Sequence, residues 1–292
     1  MQFNDTAKKT ALDAFAQLKA PVREQMQFSS VMLRNGQFTG SGVLVMDRDN
    51  LQGIVTAKHN LCVNANIPTP TQWNDIQVND LVVQFLTGLV VGYDFSPGPL
   101  NNTTLPRTLH AQELNSHTSD IEFRNGYGRW DYDLMFIAFK DPGLAIRQYM
   151  ASAPSHRIAY SHADMPFYQQ DMVGKTVFVT GFGDVLAGTG ASLNLSHPWQ
   201  VRNSRVFAHP PQVLRHSKPA QYFTDVLSLE ASDSSSSAPG DSGGPVWHVA
   251  ANGKVYLLGV TLGSNFLYGS LPPDRPIINN AATYLFAGGY LF

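Results

Sequence analysis

An all-β protein with one short amino-terminal helix is what this 292-residue sequence predicts. Short apolar runs recur between turn signals, among them Asn35-Gly36, Asp47-Arg48-Asp49-Asn50 and Asn252-Gly253. The 24 glycines and 18 prolines are spread along the chain, which multiplies turns without marking a single linker. No regular alternation of strand and helix patterns is present, so barrels or sandwiches are expected, not a parallel βαβ sheet.

Each element has its own signal. Ala7, Ala11, Leu12, Phe15 and Leu18 stand at helical spacing over residues 5–19, with Asn4 or Asp5 as N-cap and Pro21 just beyond. Three strands follow in succession: 30–34, 37–46 after the Asn35-Gly36 turn, and 51–56 after the polar turn 47–50, with His59 just past the third. The polar turn could also hold a calcium ion, but such strings are far more often hairpin turns. A further strand is expected at 80–86. The stretch 93–128, rich in Asn, Thr, Pro, Gly and His, is too long for an ordinary loop and reads as an insertion. Leu134–Phe139 is an apolar strand directly after Asp133. Residues 141–170 hold three prolines and little periodicity, and divide the chain into two β units. Strands at 175–180, 202–208 and 222–229 precede the serine-rich loop 232–239, and strands at 246–250 and 254–262 flank Asn252-Gly253.

Composition narrows the function. Charged residues are 14% of the chain, below the roughly 25% usual for soluble domains. The net charge of −2 gives no footprint for nucleic acid or an anionic membrane. No apolar run is long enough to span a bilayer, and the amino terminus lacks the basic-then-apolar pattern of a secretory signal, so cytoplasmic residence is expected of the chain as it stands. The single cysteine, Cys62, excludes an intramolecular disulfide framework and is expected to be a small buried apolar residue. No zinc, EF-hand or phosphate-loop string is present, so no metal or cofactor is expected.

The string with chemical content is Gly240-Asp241-Ser242-Gly243-Gly244-Pro245. A serine becomes a nucleophile only when a base takes its proton and N–H donors receive the developing oxyanion, and flanking glycines let the backbone present such donors. The string also fits the nucleophile elbow of α/β-hydrolases. In that fold the acid and the histidine follow the serine, and only 50 residues follow Ser242, too few for that topology.

With Pro239 before it, the string resembles the nucleophile loop of the chymotrypsin-like (trypsin-fold) serine peptidases, in the style of bacterial members. Three segments agree in the right order. Ile54-Val55-Thr56-Ala57-Lys58-His59 is similar to the strand ending in Thr-Ala-x-His, Asp133-Leu134-Met135-Phe136-Ile137 to the Asp-Ile-Ala-Leu-Leu segment, and Val179-Thr180-Gly181-Phe182-Gly183 to the Val-Ser-Gly-Trp-Gly strand. The resemblance spans roughly residues 28–270. It implies two antiparallel six-stranded β-barrels with the active site between them: an N-terminal helical extension 1–27, a first barrel 28–140 with the insertion, a connector 141–170 and a second barrel 171–292.

It further implies a serine endopeptidase in which His59 is general base and acid, Asp133 orients it, and Ser242 is the nucleophile. The oxyanion hole would be the N–H groups of Gly240 and Ser242. Asp131 competes with Asp133, lying two residues earlier on the same face of a strand; the apolar run that begins directly after Asp133 favours the latter. For specificity, members accepting Lys or Arg place an acid six positions before the serine, where this chain has Ser236. Thr261, Leu262 and Gly263 would form the other pocket wall, with either Thr261 or Leu262 at the family's serine position, and a neutral, apolar or small substrate side chain is expected.

Two departures stand out. No Ile-Val-Gly-Gly activation terminus occurs near 18–28, so Asp241, which the family pairs with a buried partner, has none that the sequence names. Asn60 replaces the cysteine that usually follows the histidine. The main expectation is therefore a peptidase acting on protein or peptide substrates. The competing one is a dormant or partner-activated module of the same fold, with an activating or inhibitory protein partner docked at the helix or at 93–128.

Overall fold

The computed structural model describes residues 5–35, 38–47, 50–61, 80–86, 90–94, 121–125, 134–140, 143–152, 172–183, 200–207, 212–214, 221–223, 226–230, 240–263 and 278–284. Within them the amino-terminal segment forms two helices where one was expected: α1 (Asp5–Ala16) and α2 (Ala20–Ser29). Pro21 lies in the first turn of α2 instead of ending the preceding helix. A proline is tolerated there because the N–H it lacks would have no intrahelical partner. Ala11 and Phe15 of α1 are buried, and the Phe15 ring meets Phe178 edge-on at 6.2 Å, so the extension is anchored to the carboxy-terminal half.

The first half is an antiparallel sheet of β1 (Ser30–Asn35), β2 (Phe38–Asp47), β3 (Asn50–Thr56), β4 (Asp80–Phe85), β5 (Val90–Asp94), β6 (Ile121–Asn125) and β7 (Met135–Phe139). The strand order is β5-β4-β1-β2-β3-β7-β6. Asp47 pairs with Asn50, as the polar turn requires, while Asn35 pairs with Phe38, so the first hairpin reverses one residue later than a turn centred on Asn35-Gly36 would. The expectation of six strands closed into a barrel needs correction here. Among the described residues this half has seven strands, with β5 and β6 at opposite edges. The two strands that the sequence did not predict border the stretch 93–128 expected to be an insertion: β5 runs into its start and β6 lies within it. In β6 the alternation of Ile121 and Phe123 with Glu122 and Arg124 puts the apolar side chains against the core.

Helix α3 (Gly143–Ser152) occupies part of the stretch expected to be a connector. Ile146 and Tyr149, one turn apart, are buried in the same core as Leu33, Ile54, Phe85 and Ile137. The Tyr149 hydroxyl donates to the Phe28 carbonyl at 2.9 Å, its ring stacks on Phe28 at 4.1 Å, and burial pushes its phenol pKa up, so the proton stays in place. Tyr149→Phe is expected to cost about 1 kcal/mol and lower the melting midpoint by roughly 2–4 °C, checked by calorimetry.

The second half holds β8 (Thr176–Gly181), β9 (Gln200–Phe207), a small hairpin of β10 (Gln212–Leu214) and β11 (Gln221–Phe223), β12 (Val226–Glu230), β13 (Pro245–Val249), β14 (Val255–Gly263) and β15 (Ile278–Tyr284). Six of these close a barrel in the order β12-β15-β14-β13-β8-β9, as expected for this half. The run expected at 222–229 divides into β11 and β12. Strand β15 had no sequence signal, since its Asn-Asn-Ala-Ala centre is poor in β-formers. It pairs on both sides, with β12 and β14, and that context overrides propensity. Trp247 is fully buried, and its indole N–H donates to Thr180 Oγ1 at 3.0 Å. Among the described residues no helix is long and apolar enough to cross a membrane.

Candidate active site

Strand β3 ends at Thr56, and a single 3-10 turn, Lys58–Leu61, carries His59, which is half-buried. The Asn60 N–H closes the turn on the Ala57 carbonyl at 3.1 Å. In the β3–β7 register Thr56 lies opposite Met135, so the strand that begins just after Leu134 starts beside the end of β3. Asp133 and its competitor Asp131 lie outside the described residues, as do Ser236 and Cys62.

Ser242 sits in the loop that enters β13, in a turn closed by the Gly244 N–H on the Asp241 carbonyl at 2.9 Å. Gly240 and Gly243 have φ of +93° and +81°, a backbone region that side chains disfavour. The Gly243 N–H donates to the Thr261 carbonyl at 2.7 Å, and the Thr261 N–H to the Gly244 carbonyl at 2.8 Å, pinning the loop to β14. Thr261 is itself fully buried. The β14–β15 register shifts between Thr261 and Gly263, which leaves Leu262 as the bulged residue of β14.

The opposite side of the loop is held by the first sheet. The Ser41 N–H, from β2, donates to the Ser242 carbonyl at 2.8 Å, and Ser41 Oγ donates to the Gly240 carbonyl at 2.7 Å. The same hydroxyl accepts the Phe182 N–H at 2.9 Å, so one buried serine joins β2, the exit of β8 and the Ser242 loop. Thr56 Oγ1 donates to the Ser41 carbonyl at 2.7 Å. Asn60 reaches across as well, its Nδ2 donating to the Ser242 carbonyl at 2.8 Å.

Asp241 is fully buried, and its Oδ1 accepts the Gly183 N–H at 2.9 Å. One partner that the sequence could not name is thus a backbone amide just past β8. Gly181 and Gly183 leave the room that the carboxylate occupies. Sequence reasoning singled out His59, Gly240, Ser242 and Thr261, all of which belong to this one cluster or border it. It missed Ser41, Thr56 and Asn60 as ties between the halves. The signal for Ser41 was its place between Gly40 and Gly42, a small polar residue just before the apolar run Val43–Met46. Among the described residues no group of three or more His, Cys, Asp and Glu side chains is placed to hold a metal ion.

A family model described as Trypsin matches residues 102–282, more than half of the chain, a span that includes Ser242 and leaves out His59. Among solved structures the chain is similar to neuropsin, a serine protease expressed in the limbic system of mouse brain, at 17% identity over 90% of this chain and 91% of that one, with a TM-score of 0.46. It is also similar to the Rv3671c protease in its inactive form, at 16% identity over 94% of this chain and 91% of that one, with a TM-score of 0.45. No curated protein matches in sequence.

Proposed function

The chain belongs to the trypsin family, and on that premise we propose that it is a serine endopeptidase working through an acyl-enzyme on Ser242. The observation that carries this reading is the direct tie between its two chemistry-bearing segments: Asn60, the neighbour of His59, holds the carbonyl of Ser242 itself. His59 takes the proton of Ser242 as the hydroxyl oxygen attacks the substrate carbonyl, then gives it to the departing amine. The N–H groups of Gly240 and Ser242 receive the negative charge that develops on the carbonyl oxygen. A water then repeats the sequence on the acyl-enzyme and frees the acid product. Asp133 holds the tautomer of His59; the β3–β7 register, which starts β7 beside the end of β3, supports that role. Ser236, Thr261, Leu262 and Gly263 shape the pocket, which takes a neutral side chain.

Intact-mass labelling with a fluorophosphonate tests the reading. Wild type is expected to gain one adduct, and Ser242→Ala and His59→Ala none. An adduct that persists on Ser242→Ala, or a folded wild type that takes up no label, would overturn it.

A further inference from the structure

We propose that Asn60 is a positioning residue that sets the register between the general base and the nucleophile, an assignment that rests on the peptidase reading above. The carbonyl of Ser242 has two acceptor directions, and both are used, by the Ser41 N–H and by Asn60 Nδ2, each at 2.8 Å. The N–H of the same peptide group, that of Gly243, is fixed on the Thr261 carbonyl at 2.7 Å. The plane that follows Ser242 is therefore held at both ends. One of its three anchors is a side chain that starts one residue from His59.

The carboxamide has little freedom. Nδ2 also donates to Thr56 Oγ1 at 2.9 Å, the Asn35 side-chain amide holds the backbone carbonyl of residue 60 at 3.4 Å, and the residue is only 7% exposed. The floor beneath it is Gly40, where a Cβ would stand 2.4–2.6 Å from all three terminal atoms of the Asn60 side chain. A rigid amide, packed on a glycine and bonded to both strand and loop, converts any shift of the His59 turn into a shift of Ser242. The two groups then move together, and the attack geometry is kept.

Saturation kinetics of fluorophosphonate labelling separate positioning from mere packing. Asn60→Ala removes both shape and hydrogen bond, whereas Asn60→Asp keeps the shape and loses the donor. Both are expected to lower the limiting labelling rate by about 30–100-fold while the half-saturating concentration stays within roughly twofold, because misplacement of about 1 Å has costs of that order. Gly40→Ala, which displaces the carboxamide without altering residue 60, is expected to do the same, and the Gly40→Ala/Asn60→Ala double variant to be no slower than Asn60→Ala alone. A folded Asn60→Asp that labels at the wild-type rate would overturn the assignment, as would a loss that disappears well below each variant's melting temperature. Wild type that takes no label removes the peptidase reading and this inference together. Wild type and Asn60→Asp labelling alike removes this inference alone.

Discussion

Gly183→Ala is expected to reduce covalent labelling of Ser242 by about 10²–10³-fold in a protein that still folds, the cost of losing an aligned oxyanion donor. A Cβ at this position would lie 2.4 Å from Asp241 Cγ and 2.5 and 2.6 Å from its two carboxylate oxygens. The carboxylate is sealed from solvent and cannot swing into water, so it must give way inside the loop. Asp241 is the residue between Gly240 and Ser242, whose N–H groups are the proposed oxyanion donors, and its displacement tilts both. Gly181→Ala provides a graded comparison. Its Cβ would press on one carboxylate oxygen, at 2.7 Å, and more lightly on Ser41 Oγ, at 3.2 Å, and its effect is expected to be smaller. Measured side by side, an unperturbed Gly183→Ala, or a Gly181→Ala that loses more, would show that the Asp241 carboxylate does not govern the loop.

That pairing also bears on activation. An Asp241 held by the amide just past β8 gives the Ser242 loop an ordering device built from the chain's interior. Ser41 adds a second, since its hydroxyl bridges the Phe182 N–H and the Gly240 carbonyl. The absence of an Ile-Val-Gly-Gly sequence near 18–28 is therefore compatible with a loop ordered without a freed amino terminus. With one cysteine in the chain, hydrogen bonds and close glycine packing take on the cross-linking that disulfides could otherwise supply.

Much of this was legible beforehand, and the rest was hidden for identifiable reasons. Hairpins were readable because tight turns demand special residues: the strands reverse at or within one residue of Asn35-Gly36, Asp47–Asn50 and Asn252-Gly253. The loop around Ser242 was readable because its backbone requires glycines at 240 and 243. Helix α2 was missed because Pro21 was read as a stop, although the same residue suits a first turn. Strand β15 was missed because barrel closure, not local preference, makes it a strand. The Gly183 amide that donates to Asp241 could not be seen at all, because a backbone amide has no letter in the sequence. Asn60 was noticed only as a missing cysteine; that its amide spans to Ser242, 182 residues away, is a fact of tertiary structure.

The largest loss of stability is expected from Gly243→Ala, and a second glycine isolates its cause. Gly243 and Gly253 have nearly the same backbone angle, φ of +81° and +83°. At Gly253, in the β13–β14 turn, a Cβ would meet nothing within 4 Å, so Gly253→Ala carries only the backbone cost of about 1–2 kcal/mol. At Gly243 a Cβ would stand 2.2 Å from the Ser41 carbonyl, 2.2 Å from Thr56 Oγ1 and 2.8 Å from the Ala57 nitrogen. Two of those atoms are backbone, and the third belongs to a fully buried, β-branched side chain already bonded to Ser41, so none can retreat cheaply. Overpacking of that kind adds roughly 1–3 kcal/mol and each hydrogen bond it breaks about 1 more, giving about 3–6 kcal/mol for Gly243→Ala. Such a loss is a large share of the roughly 5–15 kcal/mol that holds a typical protein folded. Urea unfolding of both variants in a Ser242→Ala background, where self-cleavage does not interfere, would measure the difference. Equal losses at the two glycines would mean that the Ser242 loop and the first sheet are not in close contact at this point, and the hydrogen bonds from Ser41 and Asn60 to Ser242 would lose their structural basis.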